Sequence, residues 1–140
     1  MHFETAQLLD LVAISKETLR HWKRVLSPIR GRDGRSQGYS FEEVVALSLI
    51  AHANRDLAVP ISRFTPVASR LFSEVGAQVR QGSTSFVLCI TDGDMALVES
   101  HELPDEVTMA LVRVEPIIRS LLRTVSADHY PTEDQLVLPF

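Results

Sequence analysis

Residues Ser15–Leu47 read "SKETLRHWKRVLSPIRGRDGRSQGYSFEEVVAL", and their reading decides the fold. Ser15 is a good N-cap, a residue whose side-chain oxygen can take an orphan N–H of a first helical turn. From there Leu19, Trp22 and Leu26 recur at three- and four-residue spacing, which predicts a helix running to about Leu26 with one buried stripe. Lys16, Arg20, Lys23 and Arg24 fall on the opposite side, so the outer face is cationic. Pro28 closes the segment. The stretch "IRGRDGRSQGYS" follows, with Arg30, Arg32 and Arg35 around Asp33-Gly34, and Asp-Gly between short extended arms is a hairpin signal. "SFEE" is then a capping box, Ser40 at the cap and Glu43 three residues on, opening the long apolar helix "VVALSLIAHANRDL".

Upstream, Thr5 to Val12 form a short helical pattern with Ala6, Leu8, Leu9 and Val12 able to face inward, and Ala13-Ile14 make a tight break. Two short helices, a basic hairpin and a third helix, in that order, describe a winged helix-turn-helix. "TLRHWKRVLSP" followed by "GYSFEEVVAL" resembles the MerR-type DNA-binding domain over roughly residues 3–60, on Thr18, Leu19, Arg20, Trp22, Leu26, Pro28, Tyr39, Ser40, Glu42 and Glu43. The chain departs from that family's pattern at three places. His21 stands where the first of two aromatics is usually tyrosine, and Gln37 where an arginine usually precedes the wing tyrosine. Ala13 replaces a turn glycine, which suits the turn only if that residue keeps a negative φ.

The resemblance implies a second helix, Ser15–Leu26, with its N-terminal part in the major groove, Lys16, Thr18 and Arg20 leading. Lys16 or Arg20 would read guanine through O6 and N7, while His21, Lys23 and Arg24 would meet the backbone. The wing, Arg30–Tyr39, would place Arg30, Arg32, Arg35, Gln37 and Tyr39 on phosphates or in the minor groove. Each of these has a plainer reading. Trp22 is an ordinary core anchor, Tyr39 can pack beneath the wing as well as touch a phosphate, and His21 can be a surface residue.

Charge placement carries part of the reading. The chain of 140 residues has a formal net charge of -4. Residues 1–80 hold 11 Lys and Arg against 8 Asp and Glu, while residues 81–140 hold 3 against 10. Between Lys16 and Arg35 there are 7 basic residues to 2 acidic. A local basic patch on an acidic chain argues for a placed anion site, since a generally sticky polycation would be basic throughout.

The second half reads as a small three-stranded α+β module, so the expected class is α+β throughout. Thr65 and Pro66 start a helix with Val67, Ala68, Leu71, Phe72, Val75 and Val79 at helical spacing. "FVLCITDGDMALVE" reads as two strands around Asp92-Gly93. Pro116 is tolerated only in a first helical turn, which favours a strand to Val114 and a helix from about Glu115 carrying Ile117, Ile118, Leu121, Leu122 and Val125. The expected division is a DNA-binding domain over 3–75, a linker over 76–84, a dimerisation or effector module over 85–125 and a tail over 126–140. The tail can be disordered, or can dock on a partner or on its own domain.

Other chemistries find little support. Cys89 is the one cysteine, which excludes an intramolecular disulfide and fits a reducing compartment. It lies in an apolar strand pattern, and His52, His101 and His129 are scattered, so no metal or other cofactor is expected. No nucleophile–base arrangement or phosphate-cradling glycine loop is evident, and an enzyme is not expected. No apolar run approaches the roughly 20 residues that cross a bilayer, and the opening residues lead to no expectation of a secretion leader. The expected protein is a cytoplasmic, nucleoid-associated homodimer that binds double-stranded DNA as a transcriptional regulator, its acidic half supplying the dimer contact or a protein partner. The alternatives are an accessory DNA-bending factor of recombination and an interaction module that docks an acidic partner.

Overall fold

The computed structural model describes residues 1–32, 38–105 and 108–127. Over these the chain is α+β, with five helices and two small antiparallel sheets. Strand β1 (His2–Phe3) leads into α1 (Thr5–Val12) and α2 (Lys16–Val25); β2 (Tyr39–Ser40) precedes α3 (Phe41–Asp56) and then α4 (Ala68–Arg80). Strands β3 (Phe86–Ile90), β4 (Met95–Glu99) and β5 (Ala110–Arg113) end in α5 (Val114–Ala127).

Local chemistry sets most of these boundaries. Glu4 and Gln7 form a reciprocal capping box on α1, and Ser40 and Glu43 form the same device on α3. The Asp92-Gly93 turn brings Ile90 opposite Met95, closed by Thr91 N–H donating to the Asp94 carbonyl at 2.9 Å. Pro116 is the third residue of α5, inside the first turn, where its missing N–H has no partner to lose.

Helix α3 is the centre of the molecule. Ten of its 16 residues are buried, from Phe41 to Ala53, so it is apolar on nearly every side, as a helix enclosed by neighbours must be. Helices α1, α4 and α5 all pack on it. The three-stranded sheet, in the order β4-β3-β5, turns Phe86, Leu88, Ile90, Met95 and Val112 into the same core. A single cluster of buried side chains runs from Phe3 to Val125.

Several expectations are corrected by these coordinates. Ala6, expected to face inward, is exposed, while Leu8 and Val12 of the same set are buried. Thr65–Val67 form a separate 3₁₀ turn, so the following helix starts at Ala68. Residues 76–80, expected within a linker, are the last turns of α4, where Val79 is buried against the core. Ser126 and Ala127, expected in the tail, complete α5. The Asp33-Gly34 hairpin and the tail beyond Ala127 lie outside the described residues. The pairing of β1 with β2, Phe3 opposite Tyr39, was not expected at all.

Ala13 adopts the left-handed conformation that its replacement of glycine argued against, at φ 60° and ψ 50°. Two backbone bonds demand it, the N–H groups of Ala13 and Ile14 both donating to the Leu9 carbonyl. A left-handed alanine carries strain of about 1 kcal/mol that glycine escapes. Ala13→Gly is therefore expected to raise stability by about 0.5 kcal/mol after the added freedom of the unfolded chain is counted. Urea unfolding midpoints check this, and an unchanged or lower midpoint would rule out strain at the turn.

Candidate nucleic-acid interface

The cationic face begins with the cap of α2. Ser15 Oγ accepts the Thr18 N–H at 3.1 Å and donates to Thr18 Oγ1 at 2.9 Å, which fixes the first turn. Leu19, Trp22 and Leu26 are buried, at 2%, 3% and 0% exposure, and anchor one side of the helix. That fixes the rotation of the other side. Lys16, Arg20 and Arg24, spaced by four, lie exposed in one stripe with His21 beside it. Thr18 is half-buried, its hydroxyl engaged at the cap.

Lys23 differs from its neighbours. It is half-buried, and its Nζ donates to the Arg32 carbonyl at 3.3 Å, tying α2 to the root of the wing segment. Arg30, just past the 3₁₀ turn Ser27–Ile29, is exposed. Lys16, Arg20, Arg24 and Arg30 have no ion pair among the described residues. Unpaired cations on an exposed helix face keep their charge available to an anion.

Arg32 and Tyr39, both expected as contact residues, are engaged within the protein. Arg32 donates to both Glu43 carboxylate oxygens, at 3.1 and 2.8 Å, and to the carbonyls of Gly38 at 2.8 Å and Pro28 at 3.2 Å. The guanidinium thus ties together Pro28, Gly38 and the start of α3. It also lies over the Tyr39 ring, 5.4 Å from the centroid, while Tyr39 itself is fully buried. Of the two readings left open for Tyr39, the structure shows it packed inward, opposite Phe3. Arg35 and Gln37 lie outside the described residues.

The charges in this network are mutually adjusted. Burial raises the Glu43 carboxyl, but the Arg32 hydrogen bond, the Ser40 N–H and the Arg32 charge together outweigh it and hold Glu43 below its usual range. The Glu43 hydrogen bond raises Arg32 further, and burial raises the Tyr39 phenol against the opposing charge of Arg32. Gly38, at φ 62°, is needed here because a Cβ would meet the Phe3 carbonyl oxygen at 3.2 Å. A side chain there would be strained and would crowd the β1–β2 approach.

Sequence reasoning found Glu43 as a cap and missed its second role as the partner of Arg32. The pair is 11 residues apart, a separation with no helical or strand period, so only a charge-matching guess could have joined them. Among the described residues no helix is long and apolar enough to cross a membrane, and no three His, Cys, Asp or Glu side chains are grouped to hold a metal ion. Comparison with protein-family models, with curated proteins and with solved structures finds no match to this chain.

Proposed function

We propose that this protein is a sequence-specific double-stranded DNA-binding regulator, built on a MerR-like winged helix-turn-helix and acting as a homodimer. The observation that carries the reading is the α2 stripe of Lys16, Arg20 and Arg24, exposed and without acidic partners among the described residues, opposite a buried Leu19–Trp22–Leu26 stripe. A helix of this kind can lie in the major groove, where a leading Lys16 or Arg20 reaches base edges and the remaining cations reach phosphates. Arg30 extends the cationic surface toward the wing, while Arg32, Tyr39 and Glu43 act beneath it as the fixture that holds the wing root. Two copies on an inverted repeat would set their α2 helices about one helical turn apart.

The test is selection of random duplex DNA by the purified protein at two salt concentrations, with sequencing of the enriched fragments. An inverted-repeat motif is expected, with affinity that falls steeply as salt rises because each neutralised phosphate releases counterions. Salt-sensitive binding without any motif would remove the sequence-specific reading and leave an architectural, DNA-bending one. No binding at low salt would overturn DNA recognition and turn α2 into a docking face for an acidic protein.

A further inference from the structure

Residues 128–140, beyond the described end of α5, carry three acidic side chains, Asp128, Glu133 and Asp134, and no Lys or Arg. The exposed stripe of α2 carries the opposite charge. We propose that residues 128–134 fold back onto the face formed by Lys16, Arg20 and Arg24, so that the chain's own acidic segment occupies the surface that would meet phosphates. The docking stands on charge and placement, while its consequence for DNA rests on the DNA-binding reading above.

Placement comes from α5. A cavity of about 160 Å³ is lined on one side by Leu11, Val12 and Ala13 and on another by Ile117, Ser120 and Leu121. Ala13 is the turn that ends α1, and Lys16 opens α2 three residues later. The middle of α5 therefore runs beside the approach to the cationic helix. From Leu121 to the helix end at Ala127 is about 9 Å at 1.5 Å per residue. Residues 128–134, extended, span up to about 24 Å. That length returns the acidic residues to the Ala13 turn and carries them along the first turns of α2.

Charge selects the stripe over the cations that lie nearer. Arg119 of α5 is already paired with Glu115, one turn back, which leaves Arg123 as a single cation on that face. Arg63 and Arg70 hold the carbonyls of Thr91 and Met95, at 2.8 and 2.6 Å. Lys16, Arg20 and Arg24 stand on successive turns of one face, exposed and without an ion pair among the described residues. A single exposed ion pair contributes little, but several charges meeting several form a network that does better. Joining both partners on one chain makes the encounter intramolecular, with an effective concentration that a free peptide does not reach. Duplex DNA then has to displace the segment, and its apparent affinity falls by the fraction of time the stripe is covered.

The experiment compares the full chain with a full-length variant, Asp128→Asn, Glu133→Gln, Asp134→Asn, by amide chemical shifts without DNA and by anisotropy with the selected duplex. A control variant, Asp92→Asn, Glu102→Gln, Asp105→Asn, removes the same charge from exposed positions elsewhere. Shift differences at residues 16–24 are expected in the first variant and not in the control, and they should fade between about 20 and 300 mM salt as screening shortens to a few ångströms. Reciprocally, Arg20→Ala, Arg24→Ala should move the amides of residues 128–134. The first variant should bind duplex about three- to tenfold more tightly at low salt than the control does. Unmoved α2 amides, or differences confined to residues 119–127, would overturn the docking. Shifts that grow with protein concentration would assign the contact to a second copy and overturn the intramolecular form. Equal gains in affinity for the two variants would overturn the competition, since general charge would then explain both. Movement at α2 in a chain that binds no duplex would uphold the docking and remove the DNA-binding reading alone.

Discussion

The double variant Arg20→Ala, Arg24→Ala will bind the selected duplex about 100-fold more weakly than the wild-type chain while melting at nearly the same temperature. Both side chains are exposed and neither has an ion pair among the described residues, so their removal leaves no buried partner stranded. The cap at Ser15 and the Leu19–Trp22–Leu26 anchor that form α2 remain untouched. Arg24 is in the last turn, where its loss weakens a favourable dipole interaction, but Lys23 stays beside it. Each lost phosphate contact should also flatten the slope of log affinity against log salt by about 0.9. Lys23 is the poorer target, because its ammonium is already engaged by the Arg32 carbonyl and its removal would disturb the wing root as well. Fluorescence anisotropy over a salt series, paired with thermal melts, measures both effects. Affinity within about threefold of wild type would remove α2 as the recognition helix.

Glu43→Ala will destabilise the fold by about 2–3 kcal/mol. The substitution removes the acceptor for the Ser40 N–H at 2.9 Å, which completes the α3 capping box, and it leaves Arg32 without its carboxylate. Both side chains of the ion pair are about four-fifths buried, with 19% and 21% exposed, so solvent only partly compensates the stranded guanidinium. Glu43→Gln should lose about half as much, since the amide oxygen can still cap. The pH dependence has a definite sign. Glu43 titrates below the ordinary 4.5 in the folded chain, so its stabilisation is fully present above the unfolded value and is lost as pH falls through the folded one. The wild-type chain should accordingly show a steeper acid decline than Glu43→Gln. Urea unfolding at neutral pH and at progressively lower pH checks both statements. A loss under about 0.5 kcal/mol for Glu43→Ala, or parallel acid limbs, would show that this pair does not hold the wing root.

The parts of the fold that were legible in the sequence are those set by neighbours in the chain. Ser15, the Ser40–Glu43 box, Asp92-Gly93 and Pro116 each act within about four residues, and each marks a boundary the structure keeps. Leu19, Trp22 and Leu26 were legible for the same reason, since a helical stripe is a local periodicity. The misplaced features depend on distant partners. Arg32 counted as a free wing cation because charge composition does not reveal pairing, and Tyr39 was left open between packing and contact because its burial depends on Phe3 across the β1–β2 pair. Ala13 misled in the opposite direction, because sequence preference reserves its conformation for glycine while two hydrogen bonds to Leu9 impose it here. The end of α4 was obscured by a small, polar composition that resembles a linker, although Val75 and Val79 sit at core spacing.

Helix α3 gives the protein a property that the boundary between a basic and an acidic half conceals. Its two ends belong to different tasks, the first turn holding Arg32 through Glu43 and the middle and later turns meeting α5. Because one buried rod serves both, neither half keeps a complete apolar lining when separated from the other. The chain is therefore a poor donor of interchangeable parts. Its first 60 residues transplanted alone would arrive with α3 stripped along the sides that α4 and α5 now cover, because the acidic half is built into the same block that presents α2.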